Sequence, residues 1–263
     1  DGDRTVRFEL EDMTLFNNVV YRVEFTGVSA KMMGDTFTAT IHAKDENGKE
    51  YVGEPKSTTI ANEILNVIRA STATTVIKTL GVDMLNYGAA AQVYFNYNTA
   101  NLANAALTEE EMAYGTQETP TVTNSMSKTT SGTITVLTPA VALGSKVTLN
   151  MIFNTANYTG DKSKLTYKVT DVETNAVVAS GSMVQQAGNL YKVVYDDVGA
   201  ARMRKNVTIG VYDENDQLVS QVQTWSVESY IANTLNSTSA TEAIKTLLES
   251  MIKYGDSAAA YLR

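Results

Sequence analysis

Residues 77–94 read IKTLGVDMLNYGAAAQVY, and residues 244–261 read IKTLLESMIKYGDSAAAY. Ile77-Lys78-Thr79-Leu80 recurs as Ile244-Lys245-Thr246-Leu247. At the same offset Met84, Tyr87, Gly88, Ala91 and Tyr94 match Met251, Tyr254, Gly255, Ala258 and Tyr261. Self-similarity at a long fixed offset changes the fold to be expected, so it governs the rest of the reading. Working outward, residues 21–25 (YRVEF) parallel residues 191–195 (YKVVY), and Asp45-Glu46-Asn47 parallels Asp213-Glu214-Asn215. The order of segments is the same in both halves, which is the signature of one unit duplicated.

Each long motif is helical. Val76, Ile77, Leu80, Met84, Tyr87, Ala91 and Tyr94 fall at three- and four-residue steps and make one apolar stripe. Ile244, Leu247, Leu248, Met251, Tyr254, Ala258 and Tyr261 do the same, with Ser239 and Glu242 spaced as a capping box at the start. A shorter helix precedes each, over Ile60, Ile64, Leu65 and Ile68 and over Val227, Ile231 and Leu235. Thr108 with Glu111 caps a third short helix. Alternating apolar residues mark strands at Val6, Phe8 and Leu10, at Tyr21, Val23 and Phe25, and at Phe37, Ala39 and Ile41. After residue 132 the same alternation predicts six or seven strands, the count of a β-sandwich. Asn47-Gly48 behind Asp45 is a hairpin turn, because glycine accepts the positive φ that such turns require.

The fold expected is therefore α+β and mostly β: two tandem repeats of a β-sandwich followed by a small helix cluster, the first sandwich incomplete. The stretch 131–175 has no counterpart in the first half; either that sandwich is reduced or the chain begins inside it. Residues 1–117 form the first lobe, the Thr- and Ser-rich segment 118–132 reads as a linker, and 133–263 form the second lobe. A free linker there would be the first site of proteolysis.

Composition narrows the function. With 29 acidic against 21 basic residues the net charge is −8, which disfavours nucleic acid and anionic lipid as partners. No run approaches the ~20 apolar residues that span a bilayer, so membrane insertion is not expected. The absence of cysteine removes disulfides, thiolate catalysis and cysteine-held zinc. No cofactor motif appears. The surface is rich in neutral hydroxyls and amides, and the chain starts at Asp1 without a signal peptide, as a mature fragment would. A secreted or cell-surface location is expected.

His42 is the single histidine and lies on a predicted strand, a half-exposed position rather than the centre of a triad or a metal site. The carboxylates fall in turns (Asp45, Glu46, Asp213, Glu214, Asp216) and at a helix start (Glu109, Glu110, Glu111). There solvent keeps them acidic, so no glycosidase pair stands out. Asp45 and Asp213 open segments that begin like calcium loops but lack the closing glutamate. Neither a catalytic nor a metal site is assigned.

Aromatics remain. Those shared by the halves (Tyr21 and Tyr191, Tyr87 and Tyr254, Tyr94 and Tyr261) are expected in the core. Trp225 stands where the first half has Thr58, Tyr230 where it has Glu63, and Tyr51, Tyr97, Tyr114 and Tyr158 sit at turns, element ends or polar settings. If Leu218, Ser220, Val222 and Thr224 point inward, then Val219, Gln221, Gln223 and Trp225 share the open face. Two amides beside an indole make a carbohydrate platform; the other reading is a tryptophan pinning sandwich to helix.

The string from Met84 to Tyr97, MLNYGAAAQVYFNY, resembles a helical motif of large modular secreted proteins of gut Firmicutes. A β-sandwich followed by a helix cluster, twice over, is similar to the starch adherence proteins of the amylosome. That resemblance implies a secreted setting, other modules of a larger cell-surface assembly as partners, and α-glucan as ligand. It transfers a fold and no binding residue. The function expected is a non-catalytic extracellular carbohydrate-binding protein. It would hold a polysaccharide, α-glucan (starch), between sandwich and helices through Trp225, Tyr230, Gln221 and Gln223, with Tyr51, Tyr97 and Tyr158 as further contacts. The alternatives are a structural or adhesion module that meets protein, and a two-carboxylate carbohydrate-active enzyme.

Overall fold

The computed structural model describes residues 5–18, 20–144 and 146–263. The protein mixes α and β, with several antiparallel sheets, a few helices and, among the described residues, no closed barrel.

In the first half the strands are short. β1 (Thr14–Phe16) pairs with β2 (Val20–Arg22), β3 (Phe37–Ala39) with β6 (Lys56–Thr58), and β4 (His42–Lys44) with β5 (Glu50–Val52). Asp45 closes the β4–β5 turn, its Oδ1 accepting from the Asn47 and Lys49 amides while Gly48 takes φ +78°. The strand expected over Val6, Phe8 and Leu10 does not form. Residues 10–12 make a 3-10 turn instead, in which the Glu9 amide donates to Asp12 Oδ2 at 2.9 Å. The helices follow as expected. α1 (Ile60–Arg69) is capped by Thr59, α2 (Thr75–Tyr94) by Thr74, and α3 (Glu109–Met112) by the Thr108–Glu111 capping box.

The second half is a full sandwich. β7 (Ser127–Lys128), β8 (Thr135–Leu143), β9 (Val147–Asn154), β10 (Thr166–Asp171), β11 (Val177–Ser182), β12 (Val184–Ala187), β13 (Leu190–Val198), β14 (Val207–Tyr212) and β15 (Gln223–Trp225) form two sheets. Their orders are β11-β10-β14-β15-β7 and β12-β13-β9-β8. Leu149, Met151 and Phe153 of β9, Val193 and Tyr195 of β13, and Val207, Ile209 and Val211 of β14 meet in one apolar cluster. Each strand contributes every second residue, as a pleated strand with one buried face must. α4 (Val227–Leu235) and α5 (Glu242–Tyr261) complete the chain. The α5 cap is Thr241, which accepts from the Ile244 amide, and not Ser239, whose hydroxyl bonds Ser237.

α2 packs along α5. The Tyr87 and Tyr254 rings stack there, 5.8 Å apart and 14° from parallel, and Ala90 and Ala91 join the same cluster as the second sandwich. Positions matched in the sequence make matching contacts. A Cβ on Gly88 would lie 2.6 Å from Met33 Sδ and 3.4 Å from the Ala30 carbonyl; one on Gly255 would lie 3.0 Å from Met203 Sδ and 3.1 Å from the Ala200 carbonyl. β3 and β6 pair Phe37 with Thr58 and Ala39 with Lys56, as β14 and β15 pair Val207 with Trp225 and Ile209 with Gln223. Tyr21, Tyr94 and Tyr261, expected in the core, are exposed: Tyr21 lies on the two-stranded β1–β2 sheet, and the other two are the last residues of their helices.

Segment 118–132 does not run free. The Thr123 amide donates to Glu228, Ser125 bonds Asn206 and Ser229, β7 pairs with β15, and the Thr129 amide donates to the Val222 carbonyl. Arg204 grips Asp256 with two nitrogens and donates to the Thr121 carbonyl at 3.0 Å. Isolated polar residues carry no periodicity, so their partners 80 to 105 residues away were invisible in the sequence.

Candidate functional site

Ser220 is buried as expected, but Leu218 before it is exposed, and over β15 the phase is the opposite of the one expected: Trp225 is wholly buried and Gln223 nearly so. The Gln223 amide nitrogen donates to the Ser127 and Thr224 carbonyls, and Gln221 Oε1 accepts from the Val136 amide. These amides fasten β7 and β8 to the strand. Tyr230 is half-buried against the main cluster. Trp225 has the pinning role: it joins β15 to the core with its Nε1 unpartnered, and its ring is closed to stacking. The physical cause is register. One residue of slip exchanges the two faces of a strand, and pairing with β14 and β7 sets that register here.

The other expected residues lie apart. Tyr51 is exposed on β5, its hydroxyl 3.2 Å from Asp45 Oδ2 and its ring 4.9 Å from Lys49 Nζ. Tyr158 follows β9 and folds over Gly160; partial burial and the nearby Asp213, Glu214 and Asp161 raise its pKa. Among the described residues no hydrogen bond or ring pair joins Tyr51, Tyr97, Tyr158 and Trp225. A cavity lined by Leu149, Tyr195, Val207 and Val227 has about 10 Å³, room for one water.

Tyr97, half-buried, is different, because it shares Lys31 with a pair of exposed rings. α2 ends in Tyr94 and Phe95, which stack edge-on at 4.9 Å and are 40% and 41% exposed. Lys31 Nζ lies 5.5 Å from the Phe95 ring and 4.7 Å from the Tyr97 ring. The Tyr97 hydroxyl donates to Asp35 Oδ2 at 2.6 Å, which raises the tyrosine pKa, and Asn98 Nδ2 donates to Asp35 Oδ1 at 2.8 Å. Asn96 and Asn98 both take positive φ, a conformation asparagine tolerates. Gln92, fully buried, anchors this loop: its Nε2 donates to the Asn98 and Asn101 carbonyls and its Oε1 accepts from the Ala103 amide. Sequence reasoning singled out Tyr97 but missed Lys31, Asp35 and Gln92. The available signal was the NYN run directly after the repeated helix.

A second polar surface is a shallow groove of about 360 Å³ lined by Ile68, Arg69, Lys78, Thr108, Glu111 and Tyr114. Arg69 and Glu111 form a two-point ion pair at 2.6 and 2.9 Å, and Glu111 also accepts from the Thr108 amide. Arg69 and that amide hold the Glu111 carboxyl down at about 2. Asp161, bonded by Ser163, and Asp171, bonded by the Thr174 and Glu173 amides, are also held below the usual range. A general acid needs the opposite shift. Among the described residues no group of three or more His, Asp or Glu side chains is arranged to hold a metal ion.

The chain matches no protein-family model, no curated protein and no solved structure.

Proposed function

We propose that this protein is a non-catalytic extracellular module that binds a neutral polysaccharide, an α-glucan such as starch, at the loop that ends α2. The observation that carries the reading is the cluster of Tyr94, Phe95 and Tyr97 rings beside Asp35, Asn98 and Asn101. Sugar C–H faces stack on such rings, while a carboxylate and amides already held in place meet the hydroxyls without further ordering. The surface of neutral polar groups, and carboxylates shifted away from general-acid behaviour, support binding over turnover. The matched contacts of Gly88 with Met33 and Gly255 with Met203, and the matched pairing of β3–β6 and β14–β15, support reading the halves as copies of one unit.

The test is affinity electrophoresis in amylopectin with calorimetry on maltooligosaccharides, for the native protein and for Phe95→Ala and Tyr97→Ala. Loss of one stacking ring is expected to weaken binding by about 1–3 kcal/mol, the range for rings that stack on planar ligands. Unchanged binding in both folded variants would remove the site, no affinity for any glucan would remove starch, and new reducing ends would turn the reading to an enzyme. An adhesion module that meets protein stays as the second reading, favoured by the exposed apolar strands of the first half.

A further inference from the structure

In the second sandwich β13 lies between β12 and β9, and β14 between β10 and β15. In the first half, β2 has only β1 beside it and β3 only β6, among the described residues. Burial records the difference position by position. Val193 on β13 is fully buried and Tyr195 is 3% exposed, whereas the matched Val23 and Phe25, just past β2, are 40% and 42% exposed, the Phe25 ring meeting only that of Phe37 among ring pairs of the described residues. Ile41, just past β3, is 76% exposed. An edge with unpaired backbone groups and apolar side chains is a template for another strand.

We propose that the open edges of β2 and β3 form a strand-acceptor site, whose occupant is a polypeptide segment of the β9 and β10 pattern, apolar at alternate positions and weakly basic. The inference rests on the reading of the halves as copies of one unit, and it is independent of the sugar site. The second half shows what covers the matched face: β9 runs antiparallel to β13 with Met151 opposite Val193 and Leu149 opposite Tyr195, and β10 runs antiparallel to β14 with Val169 opposite Ile209. Charge agrees. Residues 5–58 carry nine carboxylates against six lysines and arginines, while segments 146–155 and 162–172 together carry four lysines against one aspartate. Strand addition would pair the free backbone groups, and alternate side chains would bury Val23, Phe25 and Ile41.

The experiment adds synthetic peptides of residues 146–155 and 162–172, and scrambled controls, to the full chain. Calorimetry should show saturable binding of each native-order peptide. Amide exchange at residues 20–25 and 37–42 should slow by about tenfold or more at saturation. Val23→Glu should abolish binding of the 146–155 peptide and spare the other. No binding of either peptide, or equal binding of the scrambled ones, overturns the proposal. A concentration-dependent dimer in sedimentation that Val23→Glu breaks and the peptides do not compete with would make a second copy the occupant and overturn it as well. The shared reading is tested apart by two engineered cysteine pairs, Thr38→Cys with Ser57→Cys and Thr208→Cys with Thr224→Cys, in a chain without native cysteine. If both close on oxidation, the matched registers hold and a peptide failure counts against the acceptor site alone; if only the second closes, the equivalence of the halves falls.

Discussion

Trp225 sets the scale for single residues. Its ring fills the junction of β15 with the main cluster, so Trp225→Ala should destabilise the fold by about 3–5 kcal/mol, the cost of a large aromatic cavity. Trp225→Phe should cost clearly less, because it also removes an indole N–H that is buried without a partner, a penalty of about 1–3 kcal/mol. Urea unfolding of the two variants checks the order; equal losses would mean that Nε1 finds a partner. Glu111 supplies a pH dependence. Its pKa is about 2 in the fold against 4.5 in the open chain, so its contribution is fully present above about 4.5 and is lost as pH falls towards 2. Glu111→Gln should lower the melting temperature at pH 7 and flatten its decline over that window. The same decline in wild type and variant would show that the Arg69 pair contributes nothing to stability.

At the scale of elements, the segment leading into the second sandwich is the sharpest case. Gly132 takes φ +131°, and a Cβ there would stand 2.3 Å from the backbone of Ser220 and Gln221. Gly132→Ala should therefore destabilise the protein by roughly 1–3 kcal/mol, as strain at a position reserved for glycine does. In a free linker the same change would be neutral. The midpoint of chemical denaturation distinguishes the two. The helices, the Thr108 cap and the Asp45 and Asp213 turns were legible because their determinants lie within four residues of one another. The inward face of β15 was not, because a strand alternates equally well in either phase until its neighbours choose.

At the scale of the whole molecule, the stacked Tyr87 and Tyr254 tie the helices of the first half to the core of the second. The helices and the second sandwich should unfold in one calorimetric transition, and Tyr87→Ala should lower its midpoint without splitting it. Two separate transitions in the native protein would show that the halves are independent. Limited proteolysis should cut first among the exposed strands between residues 5 and 58, and spare 121–132.

By itself the sequence determined the helices, the two matched ones among them, the tyrosines that recur in those two, and the Asp45 and Asp213 turns. All of these follow from short-range periodicity, capping and backbone preference, written in consecutive residues. Only the tertiary structure decided that Trp225 is core, that 118–132 is docked, that α2 lies on α5, and that Tyr97 shares Lys31 with the exposed Phe95 while Val23 and Phe25 stay partly exposed. Those outcomes depend on which distant segments share a sheet or a helix face, and burial belongs to that arrangement rather than to any residue's own chemistry.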